Sequence, residues 1–224
     1  GEVGDVIKAY DGTTDLPDGK ISLVSAAGPA GYQAGLPLPL SEGNGFELTD
    51  AKYDSANASE TEKNISFTVK LTDTNYTFED GTTEKAFTLK GSETDKTFKI
   101  NKAAIASDTQ LYQTVFNDLA KTYTIDLAKL LPKLSEGCEY GDIQYQGCDY
   151  HFTDGTYLDS NNGMSVSKEG ILTLPTVSAH TSDVNTQIGT ITVPVVTTNY
   201  QKFEFTIKVV ISARIPLNAS GVTV

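Results

Sequence analysis

A chain of 224 residues with a formal net charge of −12 is long enough to bury roughly 70 % of its extended-chain surface, so neither a metal nor a cross-link is needed to give it a core. The acids are spread along the whole length, and such a field works against nucleic acid and anionic lipid as partners. No run of about 18 apolar residues is present, so membrane insertion is not expected.

The N-terminus lacks the basic-then-apolar pattern of a signal peptide. The chain opens on Gly1 and closes on "LNASGVTV", and it reads as a piece of a longer secreted polypeptide.

The first element, "AYDGTTDLPDG" from Ala9 to Gly19, places Asp11, Asp15 and Asp18 close together. Calcium loops need oxygen ligands at alternate positions ending in a bidentate glutamate, and that spacing is missing, so the stretch reads as turn chemistry. "DSNNG", Asp159–Gly163, fails the same test. Other Asp-Gly and Asn-Gly pairs, at Asp80, Asn44, Asp154 and Asn162, punctuate the chain in the same way.

Between such pairs the chain alternates with period two. In "NISFTVKL" Ile65, Phe67, Val69 and Leu71 fall on one face and Ser66, Thr68 and Lys70 on the other, as a half-buried strand requires. "INKAAIASD" has the small, polar character of a linker. "SDTQLYQTVFNDLAK" can be drawn as a helix capped by Ser107, but its surroundings favour a strand turning at Asn117-Asp118 into a hairpin with "TYTIDL". One helical turn is expected at "LAKLL", stopped by Pro132.

Later, "KFEFTIKVVI" places Phe203, Phe205, Ile207, Val209 and Ile211 on one face. "FTVKLTDTNY" (Phe67–Tyr76) and "ITVPVVTTNY" (Ile191–Tyr200) match in register at Thr, Val, Thr, Asn and Tyr. Such an echo suggests two related β modules in series. Their sheet edges would be guarded by Lys70, Lys208 and Pro194.

Cys138 and Cys148 lie in "GCEYGDIQYQGCDY". They would either bridge, which for so short a loop adds about 2–3 kcal/mol, or face each other as thiols across a hairpin. Tyr140, Tyr145, Tyr150 and Tyr157 cluster around them. Tyrosines stack on sugar rings and hydrogen-bond through their hydroxyls, so Tyr140, Tyr145 and Tyr150 are the candidate binding residues. The absence of tryptophan weakens that reading.

Catalytic signatures are lacking. His151 and His180 sit in no zinc or nucleophile motif, Cys148 and His151 are unusually close in sequence for a catalytic pair, and no Walker or dinucleotide fingerprint occurs. No catalytic residue, metal ligand or cofactor is therefore assigned. Acidic residues are too common for paired carboxylates to carry a hydrolase reading. A lysine and an asparagine buried beside an acid can condense into an isopeptide, and Lys70 and Asn199 are instances without a diagnostic motif.

"AYDGTTDLPDG", then "ELTDAKYDSANAS", "ISFTVKLTDTNYTF" and "FKINKA", resembles the YDG repeat family of bacterial surface proteins, an Ig-like type of module, over residues 3–102. Tyr10, Asp11, Gly12 and Thr13 match its first element; Tyr53, Asp54, Ala56 and Asn57 its second; Asn75 and Tyr76 its third. Ser59 stands where a glycine is usual, which bears on the local turn. Residues 105–213 are similar to the β-sandwich modules that accompany such units in surface proteins of Gram-positive gut bacteria.

The resemblance implies an exported, repeated stalk or adhesin-type segment that is not an enzyme. Its expected partners are adjacent modules of the parent chain and, on the binding reading, host glycans, mucin or a matrix protein. The expected fold is all-β: two tandem Ig-like β-sandwich modules, 1–104 and 105–213, with 214–224 leading into a further module. Tyr10, an aromatic ahead of a tight turn, is expected to pack.

Overall fold

A computed structural model of the chain describes residues 2–26, 33–105, 109–154, 157, 163–174 and 184–214. The expectations placed on Ser107, Asp159, Asn162, His180 and the tail after Arg214 lie outside the described residues. The fold is all-β. The described helical segments are two short 3-10 turns, Gly91–Glu93 and Leu127–Leu130, the latter at the expected "LAKLL" and capped by the Asp126 side chain, which accepts from Lys129 N.

The chain forms two compact units. Unit 1 comprises Gly1–Ala104 with two later segments, Ser135–Gly141 and Thr198–Tyr200; unit 2 comprises Ile105–Leu134, Asp142–Thr197 and Gln201–Val224.

Unit 1 holds β1 (Glu2–Val3), β2 (Val6–Ala9), β3 (Ile21–Ser22), β4 (Ser41–Glu42), β5 (Gly45–Tyr53), β6 (Asn64–Leu71), β7 (Glu84–Lys90) and β8 (Phe98–Asn101). They pair as β4-β5-β6-β7, β2-β8 and β1-β3. The alternation read in "NISFTVKL" sends Ile65, Phe67 and Val69 inward, while Lys70 is exposed. Val6, Phe46, Tyr53, Phe98 and Ile100 are buried from neighbouring strands; each large apolar side chain removed from water in this way contributes about 1.5–3 kcal/mol. A bulge between Thr49 and Lys52, with Asp50 at φ 55°, bends β5.

Unit 2 holds β9 (Gln110–Phe116), β10 (Thr124–Asp126), β11 (Ile143–Tyr145), β12 (Asp149–Phe152), β13 (Ser165–Val166), β14 (Ile171–Thr173), β15 (Gln187–Thr197) and β16 (Phe203–Ser212). One sheet runs β11-β15-β16-β9, with β12 also on β15; the other runs β10-β14-β13. Both contribute to one core: Val115, Ile191, Val193, Val195, Phe205, Ile207, Val209 and Ile211 from the first, Leu172 from the second, with Leu127 and Leu174 beside it. The alternation of "KFEFTIKVVI" produces that face, with Phe203 half-buried at its start.

Two expectations are corrected. β9 and β10 do not form a hairpin: β9 runs parallel to β16, and β10 pairs with β14 in the other sheet. Residues 117–123 lack the two-residue Asn-Gly or Asp-Gly turn that would fold the strands onto each other. Asn117 N instead donates to Ser212 O, which extends the pairing with β16.

Nor do Lys70, Lys208 and Pro194 guard edges, because β6, β16 and β15 each have partners on both sides. Pro194 is tolerated for a local reason. Its carbonyl accepts from Gln146 N at 2.9 Å, and a strand residue's nitrogen and oxygen share a side. The missing N–H therefore faces the junction where pairing with β12, ending at Thr192, gives way to pairing with β11, starting at Val195.

Candidate functional site

The residues that carry the resemblance all lie within unit 1. Asp11 accepts from Thr13 N at 2.9 Å and from the Thr13 hydroxyl at 3.0 Å, closing a turn in which Gly12 takes φ 82°. Lys8 Nζ donates to Asp11 at 2.8 Å and to the Thr13 carbonyl at 3.0 Å. Burial pushes the Asp11 carboxyl up, but the Lys8 ammonium and the two Thr13 donors outweigh it and hold the group below its ordinary value. The Asp11 carboxylate is thus engaged in ordering its own turn.

Tyr10 packs as expected, 7 % exposed, with its ring edge-on to Tyr200 at 5.6 Å and its hydroxyl accepting from Glu139 N at 2.9 Å. Tyr140 tilts against the other partner of this group, its ring 5.4 Å from Tyr200. Burial first, then the Cys138 thiol and the neighbouring Tyr10 and Tyr140, push the Tyr200 hydroxyl up to about 12. Tyr10 and Tyr200 are buried in this cluster and Tyr140 is half-buried at its side.

The second signature element anchors the same unit. Tyr53, 1 % exposed, donates its hydroxyl to Val6 O at 2.8 Å, tying β5 to β2. Burial, then the Asp11 charge, raise that hydroxyl to about 12. Asn64 N donates to the Asp54 carboxylate at 3.2 Å, and Ala56 is half-buried.

Asn199 is fully buried: Oδ1 accepts from Ala58 N at 2.8 Å, while Nδ2 donates to Asn57 Oδ1 at 3.1 Å and Glu139 O at 3.0 Å. Its side-chain amide is thereby used on both ends, and Lys70 stands exposed on β6. The third element is a surface turn: Asn75 N and Nδ2 both donate to Asp73 Oδ1, at 2.9 and 2.8 Å.

Tyr140, Tyr145 and Tyr150 are all half-buried, but they do not share a unit: Tyr140 belongs to unit 1, Tyr145 and Tyr150 to unit 2. Tyr145 and Tyr150 pack against the unit 2 core. The Tyr145 ring lies over Gly170, where a side chain would collide with it, and burial followed by the Asp126 charge raises its hydroxyl. Tyr150 meets Phe152 edge-on at 5.9 Å.

Cys138 and Cys148 are free thiols. Burial, then Asp149, push the Cys148 thiol up, opposite to the shift that makes a nucleophilic thiolate. His151 projects into solvent, 3.9 Å from Asp149. Among the described residues no group of three His, Cys, Asp or Glu side chains is placed to hold a metal ion.

Unit 1 also contains a groove of about 710 Å³, lined by Leu23, Leu36, Leu40, Phe78 and Phe87 together with Tyr76, Glu79 and Lys85. The sequence reading singled out Tyr76 as signature and missed the groove, since Leu36–Leu40 and Phe78–Phe87 become neighbours only in the fold. Asn199 and Tyr200 did carry a signal, the Thr-Asn-Tyr echo of Thr74–Tyr76 in Thr198–Tyr200. No protein-family model matches the chain, and no curated protein does.

Proposed function

We propose that this chain is a non-catalytic, modular segment of a cell-surface or secreted bacterial protein, built as two Ig-like modules and serving as a load-bearing spacer or adhesin-type repeat. One observation carries the reading. In each unit an early strand runs parallel to the last one: β2 with β8 from Val6↔Phe98 to Ala9↔Asn101, and β9 with β16 from Gln110↔Thr206 to Phe116↔Ser212. In a parallel pair the chain enters at one end of the ladder and leaves at the other, so tension along the chain loads all the bonds together in shear.

The echo strands support a common module. β6 and β15 each open an antiparallel hairpin, with β7 and β16, and bury Val69 and Val193 at matching positions. The YDG resemblance over residues 3–102 points the same way, and its signature residues are used for turns and anchors.

A second reading, a carbohydrate- or mucin-binding module, is favoured by the groove in unit 1, whose volume of about 710 Å³ falls in the range of ligand sites. A glycan, mucin and matrix-protein array distinguishes the two. The spacer reading expects silence from folded protein. Binding lost in Tyr76→Ala/Phe78→Ala would assign the groove, and binding lost in Tyr140→Ala/Tyr145→Ala would assign the tyrosines.

A further inference from the structure

Among the described residues the unit 2 sheet ends at β9, and that edge differs in composition from the others. Among the described residues, the edge strands of four or more residues include β7, with Glu84, Lys85 and Lys90; β12, with Asp149 and His151; and the β2–β8 pair, with Lys8 and Lys99. Each places charge where another strand would have to dock. β9 reads "QLYQTVF", seven residues with no charge, proline or glycine. Uncharged, β-prone segments of this length are the ones that add strands.

The backbone directions along β9 can be read off its contacts. Thr109 O accepts from Thr206 N, and Asn117 N donates to Ser212 O, so backbone groups of the odd-numbered residues face β16. Those of the even-numbered residues face away, as Phe116 N confirms by donating to the Tyr123 hydroxyl at 3.2 Å. Tyr112 and Thr114 therefore aim their amides and carbonyls outward. Tyr112 is 69 % exposed, Thr114 is exposed, and the Thr114 carbonyl is covered by the Gln113 side chain at 2.8 Å.

We propose that β9 is a dimerisation edge, on which β9 of a second copy of this chain pairs antiparallel about a two-fold axis at Gln113. In that register Tyr112 faces Thr114 of the second copy and Thr114 faces its Tyr112, and each pair exchanges two backbone hydrogen bonds through the outward groups. Leu111 then lies opposite Val115 on the core-facing side, where both already pack, so the apolar stripe continues across the axis. Gln113 faces its own copy and gives up the Thr114 carbonyl to the incoming strand.

The strand suits a copy of itself better than a foreign charged segment, because it brings no like charges together in a chain of net charge −12. A two-fold contact is closed, so pairing consumes the edge and does not propagate. The inference rests on the β9 edge alone and is independent of the spacer reading.

Sedimentation equilibrium of the full chain, from micromolar to millimolar, tests it. The wild type is expected to move from monomer mass toward twice that mass as concentration rises. Thr114→Pro removes an outward N–H and leaves the β16 ladder intact; with an unchanged far-UV spectrum and melting temperature it is expected to stay at monomer mass.

Gln113→Lys and Gln113→Glu, each alone, are expected to lose the dimer because like charges meet at the axis, and an equimolar mixture of the two is expected to regain it. A wild type that stays monomeric throughout overturns the proposal. So does a dimer that survives both Thr114→Pro and Gln113→Lys, or a mixture of the lysine and glutamate variants that shows no recovery.

Discussion

Asn199 accepts the amide of Ala58 at 2.8 Å, although 141 residues separate them in sequence. The bond places the end of one echo motif against the "YDSANAS" stretch, inside unit 1. Asn199→Ala leaves the buried Ala58 N–H without its partner, which costs about 1–3 kcal/mol, and removes the part-buried bond to the Glu139 carbonyl as well. Urea denaturation should show that loss. The equivalent echo residue, Asn75, is exposed in a surface turn, so Asn75→Ala should shift stability by well under half as much.

Gly12 and Gly19 both follow aspartate and both have positive φ, 82° and 69°. Their surroundings differ: a Cβ on Gly12 would press into the Gly137 carbonyl, whereas one on Gly19 would meet nothing within 4 Å. Gly19→Ala should cost only the left-handed backbone penalty, about 1–2 kcal/mol. Gly12→Ala must add displacement of the Gly137 backbone, and its melting temperature should fall distinctly further in parallel calorimetry.

Stability should decline at alkaline pH through Tyr53 and Tyr200, whose folded-state hydroxyls titrate near 12 against an ordinary value of 10.0. Below pH 10 both folded and unfolded chains keep these protons, so the contribution is complete; between pH 10 and 12 the unfolded chain ionises first, and stability is lost as pH rises. Tyr53→Phe should lose about 0.5–1.5 kcal/mol at neutral pH, from the hydrogen bond to Val6, and should flatten the alkaline decline measured by denaturant titration.

Alternation made the long strands legible: in β6 and β16 the inward residues named from sequence are the buried ones, apart from half-buried Leu71 and Phe203. The turn reading of Asp11-Gly12 was legible too, because Asp-Gly and the nearby threonine carry their own local chemistry. Pairing was less so. β9 carries a period-two pattern equally suited to a hairpin with β10 or a ladder with β16, and the choice lies in contacts more than 90 residues apart.

The edge assignments of Lys70, Lys208 and Pro194 failed for the same reason, since a strand's neighbours are not written in its own residues. The tyrosines near Cys138 and Cys148 looked like one cluster because they are close in sequence. The fold sends Tyr140 to unit 1, beside Tyr10 and Tyr200, and keeps Tyr145 and Tyr150 in unit 2.

The central claim is that the parallel strand pairs bear load, and pulling unit 2 of one protein in two directions tests it most directly. With Cys138 and Cys148 replaced by serine, handles on cysteines at Thr109 and Ala213 load β9 against β16 in shear. Handles at Asn185 and Ala213 peel β15 from β16 one pair at a time. At equal pulling speed the shear geometry is expected to unfold at several-fold higher force. Equal forces in the two geometries, or a weaker shear response, would contradict the load-bearing account.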